Sequence, residues 1–288
     1  MKTKKAELTT KQIVILIVLI ISFGIILFFL FRLNLGDESD KQLCYNSVMN
    51  RANKAIPTDV VPLNCQRNYV CITQDGSCEN MIEPDKRKVK IEDEVYDALA
   101  NELSDCWWVF GEGKVDYMGT QTIPNLYCSI CSQIMFDDSV KKIFNSNEFD
   151  KRKFYEYMAK TKMGGSNGLT YSEYLFGTKD FSALAAPYNG NFGKVDLNSQ
   201  YYALMGITPK INKPAWAGIG AATVLIAFIP GVNVIAAIGV AAAAATGGYF
   251  LAPMIEGLSG QRYIPPSLIK VGSDEFGSLG CEEITTRS

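Results

Sequence analysis

The sequence contains no histidine, and this absence excludes several classes of chemistry at once. Without an imidazole side chain, the Ser-His-Asp and Cys-His catalytic arrangements, Cys/His zinc fingers and the HExxH metal motif are all ruled out. The net charge is also small, −2 with a pI of about 5.4, so no basic field predicts binding to nucleic acid. The chain has no Asn-X-Ser/Thr sequon, and we expect neither N-glycosylation nor a cofactor.

Eight cysteines are present, and an even number is typical of disulfide pairing in an oxidising compartment. Their spacing does not select the pairs, because eight cysteines allow on the order of 100 arrangements. The pairing therefore stays open, including a Cys71–Cys78 bond across the turn at Asp75-Gly76. The predicted disulfide residues are Cys44, Cys65, Cys71, Cys78, Cys106, Cys128, Cys131 and Cys281.

Cys128 and Cys131 form a CxxC motif, and they are the candidate catalytic residues of a thiol–disulfide oxidoreductase. A redox pair belongs at a helix N-terminus, where the thiol pKa is lowered. The alternation over 127–136 instead predicts a strand, with Ser132 on the Cys128 side and Gln133 on the Cys131 side. Because residues three apart in a strand face opposite sides, we interpret both as structural cystines with separate partners.

Metal chemistry has little support in the sequence. A four-cysteine metal site needs a second CxxC, which the spacing of Cys65, Cys71 and Cys78 does not supply. The carboxylates of 137–138 and 92–94 are candidates for cation binding or acid–base chemistry, but no glycine-spaced calcium loop contains them. We therefore predict no metal site.

An uninterrupted apolar run occupies residues 13–31. At about 1.5 Å per residue it makes a helix of about 29 Å, close to the ~30 Å hydrocarbon core of a bilayer. Four lysines precede it, so the positive-inside rule predicts a cytoplasmic tail over 1–12 and an exterior domain after the helix. A cleaved signal peptide is disfavoured because no small-residue cleavage site follows the run. We predict an uncleaved transmembrane helix over 13–32.

Residues 33–213 are predicted to form an exterior, disulfide-stapled α+β domain with mixed short strands and two or three helices. The Asp75-Gly76 pair is typical of a two-residue β-hairpin loop. The charged segment 84–90 is expected to be a loop or an edge strand. Periodicity predicts helices over 39–56, 91–110 and 147–163, and strands within 60–81 and over 114–118, 127–136 and 194–208.

Residues 214–253 form an uncharged stretch rich in alanine and glycine. As one helix it would measure about 60 Å, twice a bilayer core, and Pro230 and Gly231 interrupt it. We predict an apolar helical hairpin, spanning or re-entrant, with Pro230 and Gly231 at its tip; a hairpin buried in a soluble core is the alternative. Small residues recur every fourth position, as they do where helices pack closely in lipid: Gly239, Ala243 and Gly247.

Two features indicate that the tail, 254–288, returns to the exterior domain. The tail is net acidic, which suits the outer face, although acidic residues are a weak topology signal. Cys281 also meets the other seven cysteines in an oxidising compartment only if the chain returns. The exterior domain would then be built from two separated pieces of chain.

The leading interpretation is a non-enzymatic, membrane-anchored protein on the exterior side of the cell membrane, serving as a subunit of a surface or envelope assembly. The expected partners are the lipid bilayer and a protein partner, or a second copy, bound through the membrane segments. Two alternatives stay open. One is a membrane-remodelling protein whose hairpin drives fusion or forms a pore, and the other is an oxidoreductase that uses Cys128 and Cys131.

Overall fold

The computed structural model describes most of the chain in two compact units, Met1–Gln42 and Leu43–Ser288, which are treated separately below. The described residues are 10–32, 35–53, 61–118, 126–165, 168–182, 192–208, 224–225, 239–240, 255–256, 262–279 and 281–283.

Seven α-helices and eleven strands lie within these residues. The helices are α1 (Thr10–Arg32), α2 (Leu35–Arg51), α3 (Glu92–Val109), α4 (Lys141–Phe144), α5 (Lys151–Lys160), α6 (Tyr171–Phe176) and α7 (Asp274–Ser278), with a 3-10 turn at Asp138–Val140. The strands are β1 (Asn68–Thr73), β2 (Asp85–Lys88), β3 (Tyr127–Phe136), β4 (Glu148–Asp150), β5 (Lys194–Asp196), β6 (Tyr201–Thr208), β7 (Val224–Leu225), β8 (Gly239–Val240), β9 (Ile255–Glu256), β10 (Arg262–Lys270) and β11 (Glu282–Glu283).

The first unit contains helix α1, which occupies the predicted position of the N-terminal apolar helix. Its side chains over 13–28 are all exposed. Within the part of the chain that the structure describes, no helix is both long enough and apolar enough to cross a membrane. The transmembrane helix predicted over 13–32 is therefore not supported by the structure.

The second unit is an α+β domain, as the sequence predicted, with a mixed sheet, several helices and disulfide bonds. Its main sheet has the strand order β2-β1-β3-β6-β10-β9, and β11 also pairs with β3. Strands β1, β2 and β11 run parallel to their neighbours, whereas β6, β10 and β9 pair antiparallel. Strand β3 is central and has partners along both of its edges.

Helix α3 is the main helix on one face of this sheet, and it forms for reasons visible in the sequence. Val95, Leu99 and Leu103 recur at helical spacing and are fully buried or nearly so. Acidic side chains fill the first turn, where they favour the positive end of the helix dipole. The helix ends before Gly111, whose φ of +78° suits a glycine better than any other residue.

A β-bulge in β3 changes which side chains face that helix. The pairing of β3 with β6 shifts register between Ile130 and Ser132, so Cys131 is an extra residue in β3. Beyond the bulge, Ile134 and Phe136 therefore lie in the same core cluster as Tyr127. The simple alternation predicted for 127–136 is wrong from Ser132 onward, because the extra residue reverses the order of the two faces.

The tail supplies an interior strand of the main sheet. Strand β10 lies between β6 and β9, and its Tyr263, Ile264 and Ile269 are buried. Its two prolines lie where the register with β6 shifts, between Ile264 and Ser267. Prolines cannot donate to a strand ladder, so a bulge is the place within an interior strand where they fit.

The hairpin predicted at Asp75-Gly76 is not formed. Strand β2 runs parallel to β1, with Val70 opposite Asp85, because the chain crosses from one end of β1 back to the other before pairing. Segment 84–90 does contain an edge strand, β2. The strand predicted over 114–118 is also wrong, since these residues belong to no described strand.

Two further predicted elements are each divided in two. The helix predicted over 147–163 begins only at Lys151, because Glu148–Asp150 pairs with Lys194–Asp196 as β4 with β5. Asp150 then caps helix α5 by accepting a hydrogen bond from the Arg152 backbone N–H. The strand predicted over 194–208 is interrupted by a turn in which Asp196 accepts from Asn198 and Ser199.

The uncharged stretch 214–253 is described at four residues only. Val224–Leu225 and Gly239–Val240 form β7 and β8, which pair antiparallel with Val224 opposite Val240. These four residues, Gly239 among them, are extended rather than helical, contrary to the predicted helical hairpin. Pro230, Gly231, Ala243 and Gly247 lie outside the described residues.

Removing the tail tests the role of β10. A chain that ends at Gly260 lacks the four most buried apolar side chains of this strand, Tyr263, Ile264, Leu268 and Ile269. Each contributes about 1.5–3 kcal/mol by burial, so together they match the ~5–15 kcal/mol total stability of a domain. We expect this chain to lose cooperative thermal unfolding, measured by circular dichroism in mild detergent. A control chain ending at Glu283 should keep the full-length Tm, and an equal Tm for the Gly260 chain would contradict the fold.

Candidate functional site

All eight cysteines lie in disulfide bonds, and no described cysteine is free. The four bonds join residues from different elements around β1 and β3. They are Cys44–Cys65, Cys71–Cys78, Cys106–Cys131 and Cys128–Cys281. The site predicted from the cysteines is therefore a set of covalent links across a sheet.

The CxxC motif is divided between the two faces of β3. Cys131, the bulged residue, bonds Cys106 of α3 on the helix-covered face. Cys128 bonds Cys281 on the opposite face, where both belong to a second, smaller apolar cluster. The structure thus places the two candidate catalytic sulfurs in separate bonds rather than together.

The Cys71–Cys78 bond closes an irregular turn after β1. Cys78 adopts a positive φ of +59°, which is unusual for a residue with a Cβ. Its sulfur and that of Cys71 are buried against Met135 and Met81. The longer, irregular loop that such a bond requires is therefore present, and it is the feature that replaces the predicted hairpin.

Asp137 holds this turn from the far end of β3. One carboxylate oxygen accepts from the Ser77 hydroxyl at 2.9 Å and from the Cys78 backbone N–H at 3.2 Å. The other accepts from the backbone N–H and the hydroxyl of Ser139, at 3.0 and 2.6 Å. Ser139 in turn accepts from the Gln74 backbone N–H at 2.9 Å. The turn is fixed by both a covalent bond and a carboxylate.

These contacts keep Asp137 ionised. Burial on its own would raise the pKa of this carboxyl, but the hydrogen bonds from Ser139, Ser77 and Cys78 outweigh that effect and lower the pKa to about 2. All four contacts are donated to the carboxylate from within the chain. Asp137 is therefore a structural clamp rather than an acid or base available to a ligand.

The other carboxylates considered for chemistry are also engaged locally or exposed. Asp138 pairs with Lys141, and its side chain is 83% exposed. In the first turn of α3, Glu94 accepts from the Lys90 backbone N–H and Glu92 pairs with Lys153. Among the described residues, no group of three or more Cys, Asp or Glu side chains is arranged to hold a metal ion.

A carboxylate that the sequence did not single out, Asp97, joins three helices. One of its oxygens accepts from the hydroxyls of Tyr157 and Tyr171, at 3.1 and 2.9 Å, and the other accepts from Asn101 at 3.0 Å. Burial, followed by the charge of Asp97, raises the pKa of Tyr157 to about 12. Asp97 lies at a helical i+4 step before Asn101, but its tyrosines come from α5 and α6, which no local signal reveals.

The loop after α3 is fixed by the tail. The Tyr263 hydroxyl donates to the Val115 carbonyl, and the Tyr263 ring meets Trp107 edge-on with centroids 6.0 Å apart. Gly113 has no room for a side chain, because an added Cβ would lie 2.9 Å from the Trp107 ring. Tyr263 therefore connects β10, α3 and this loop, a role that only the tail's position in the sheet explains.

No family model, curated protein sequence or solved structure matches this chain.

The paired substitutions Asp137→Asn and Asp138→Asn test the clamp. An amide at position 137 would turn an N–H toward the Cys78 or Ser139 donors, so we expect a loss of about 1–3 kcal/mol, measured by urea unfolding at pH 7. Asp138→Asn, at an exposed neighbouring position, should stay within about 0.5 kcal/mol of the parent.

The pH dependence has a fixed sign. Because the folded-state pKa of Asp137 lies below the ordinary 3.8, its contribution to stability is present above about pH 3.8 and is lost as the pH falls through about 2. The Asp137→Asn variant should lack this component of acid unfolding, whereas Asp138→Asn should retain it. Identical acid unfolding curves for the parent and Asp137→Asn would contradict the clamp.

Proposed function

We propose that this protein is a non-enzymatic, membrane-anchored exterior protein whose disulfide-stapled domain serves in a surface or envelope assembly. The observation that carries the proposal is the presence of all eight cysteines in four bonds. Structural disulfides persist in oxidising compartments and are rare in the reducing cytosol. This supports an exterior location for the domain.

Anchorage is supported by the first unit of the chain. Helix α1 exposes apolar side chains along 13–28, and in the sequence the apolar run continues to residue 31. Four lysines precede it, which favours a cytoplasmic N-terminus and an exterior second unit. A bilayer is the partner whose chemistry fits an apolar helix with no polar face.

Thiol–disulfide exchange is disfavoured by the geometry of β3. A CxxC enzyme cycles a bond between its own two sulfurs, with one of them accessible. Cys128 is only 1% exposed and bonds the tail, while Cys131 bonds helix α3. Membrane remodelling depends on residues 214–253, most of which lie outside the described residues, so it stays a prediction from sequence.

Membrane extraction and protease protection test the anchor in intact cells. The full chain should stay in the membrane pellet after alkaline carbonate treatment, with its exterior domain digestible from outside and an N-terminal tag protected. Leu19→Lys with Ile20→Lys places two charges in α1, each costing about 2.5–3.5 kcal/mol in a bilayer centre, and should weaken membrane retention. The matched control, Leu43→Lys with Leu169→Lys, changes exposed leucines outside α1 and should behave like the parent.

Release of the parent chain by carbonate, or a protected domain with a digestible N-terminal tag, would overturn the proposed anchorage. The assembly role is read from the same cells. Cross-linking followed by extraction in mild detergent should give a species larger than the monomer. A monomer alone, with no co-purifying protein, would contradict the proposed assembly role and leave anchorage intact.

A further inference from the structure

Three buried hydroxyl groups near the bulge of β3 have no hydrogen-bond partner in the described residues. They belong to Tyr117, Ser129 and Ser132, whose exposed fractions are 0%, 0% and 1%. Buried hydroxyls in native proteins are nearly always paired, because an unpaired one loses its bonds to water without replacement. A group of three such hydroxyls therefore requires an explanation.

The two serines lie on either side of the bulged residue Cys131. Ser129 is opposite Met205 and Ser132 is opposite Ala203 on β6, so neither has a polar side chain across the strand pair. An extra residue in one strand also interrupts the regular ladder of backbone bonds. The bulge thus presents polar groups toward the helix-covered core without local partners.

Tyr117 approaches this place from the loop after α3. Its ring packs against Phe110 with centroids 5.2 Å apart. Burial has the largest influence on the pKa of Tyr117 and raises it, while the Ser129 hydroxyl and the Arg51 charge act in the opposite direction. Ser129 and Arg51 are therefore its neighbours. The Nε atom of Arg51 is likewise buried without a hydrogen-bond partner.

We propose that an ordered internal water molecule binds between the hydroxyls of Tyr117 and Ser129. Water both donates and accepts, so it can satisfy two hydroxyls and also accept from a group that only donates, such as Arg51 Nε. An anion would suffer a much larger desolvation cost at a site this deeply buried. This hydration site connects β3, at its bulge, to the loop that Tyr263 fixes, and it does not depend on the proposed function.

A high-resolution crystal structure of the full chain tests the site directly. We expect a water oxygen within about 2.7–3.2 Å of both Tyr117 Oη and Ser129 Oγ. A direct hydrogen bond between the two hydroxyls would overturn the proposal, and so would clear density with nothing between them.

A pair of tyrosine substitutions gives a second readout. Tyr117→Phe removes one partner of the water, so the Tm of the full chain should fall by about 2–4 °C. The control Tyr69→Phe removes the hydroxyl of a tyrosine that is 47% exposed, and its Tm should not change. An unchanged or raised Tm for Tyr117→Phe would mean that the hydroxyl is unpaired, contrary to the proposal. If Tyr117→Phe fails to fold, Ser129→Ala is read by the same criterion.

Discussion

The disulfide between Cys128 and Cys281 joins the centre of the main sheet to the last described strand, and the rest of the domain depends on the return of the tail that it fixes. The bonded residues are 153 positions apart in sequence. In the chain-entropy model, closing a loop of that length in the unfolded chain is worth about 5 kcal/mol, a large fraction of the stability of a domain. The bond therefore makes the tail a structural part of the domain rather than an appendage.

The tail contributes on both faces of the sheet. Its strand β10 pairs with β6, and Tyr263 packs against Trp107 beneath the helix layer. On the other face, Leu279 and Cys281 cover Cys128 and its apolar neighbours. Strand β3 stands between these layers, with one sulfur bonded to α3 and another bonded to the tail. This arrangement supports a stable, covalently braced exterior domain more readily than a site for exchange chemistry.

Local patterns predicted the elements that depend on their own residues. Apolar spacing with an acidic first turn predicted α3, and alternation predicted the position of β3, because the periodicity of each element is written within it. Signals that depend on distant partners were misread. The Asp75-Gly76 pair indicated a hairpin, but the preferred partner of β1 is a parallel strand reached by a longer path. The bulge at Cys131 arises from pairing with β6, so no pattern within 127–136 could reveal it.

The candidate site was predictable to the same degree. The residue type and count of the cysteines predicted disulfides, and strand geometry predicted separate partners for Cys128 and Cys131. Which partners they would be depended on the fold. The roles of Asp97 and Asp137 were also hidden, because their donors come from other elements. Polar clamps of this kind are set by tertiary contacts rather than by sequence neighbours.

Mass spectrometry of peptides from the non-reduced, alkylated full-length protein tests the central claim most directly. The account predicts a peptide pair joined by Cys128 and Cys281, and a separate pair joined by Cys106 and Cys131, with no alkylated cysteine. A Cys128–Cys131 bond together with an alkylated Cys281 would contradict it, because the tail would then have no covalent link to the sheet and the CxxC motif would form a redox pair.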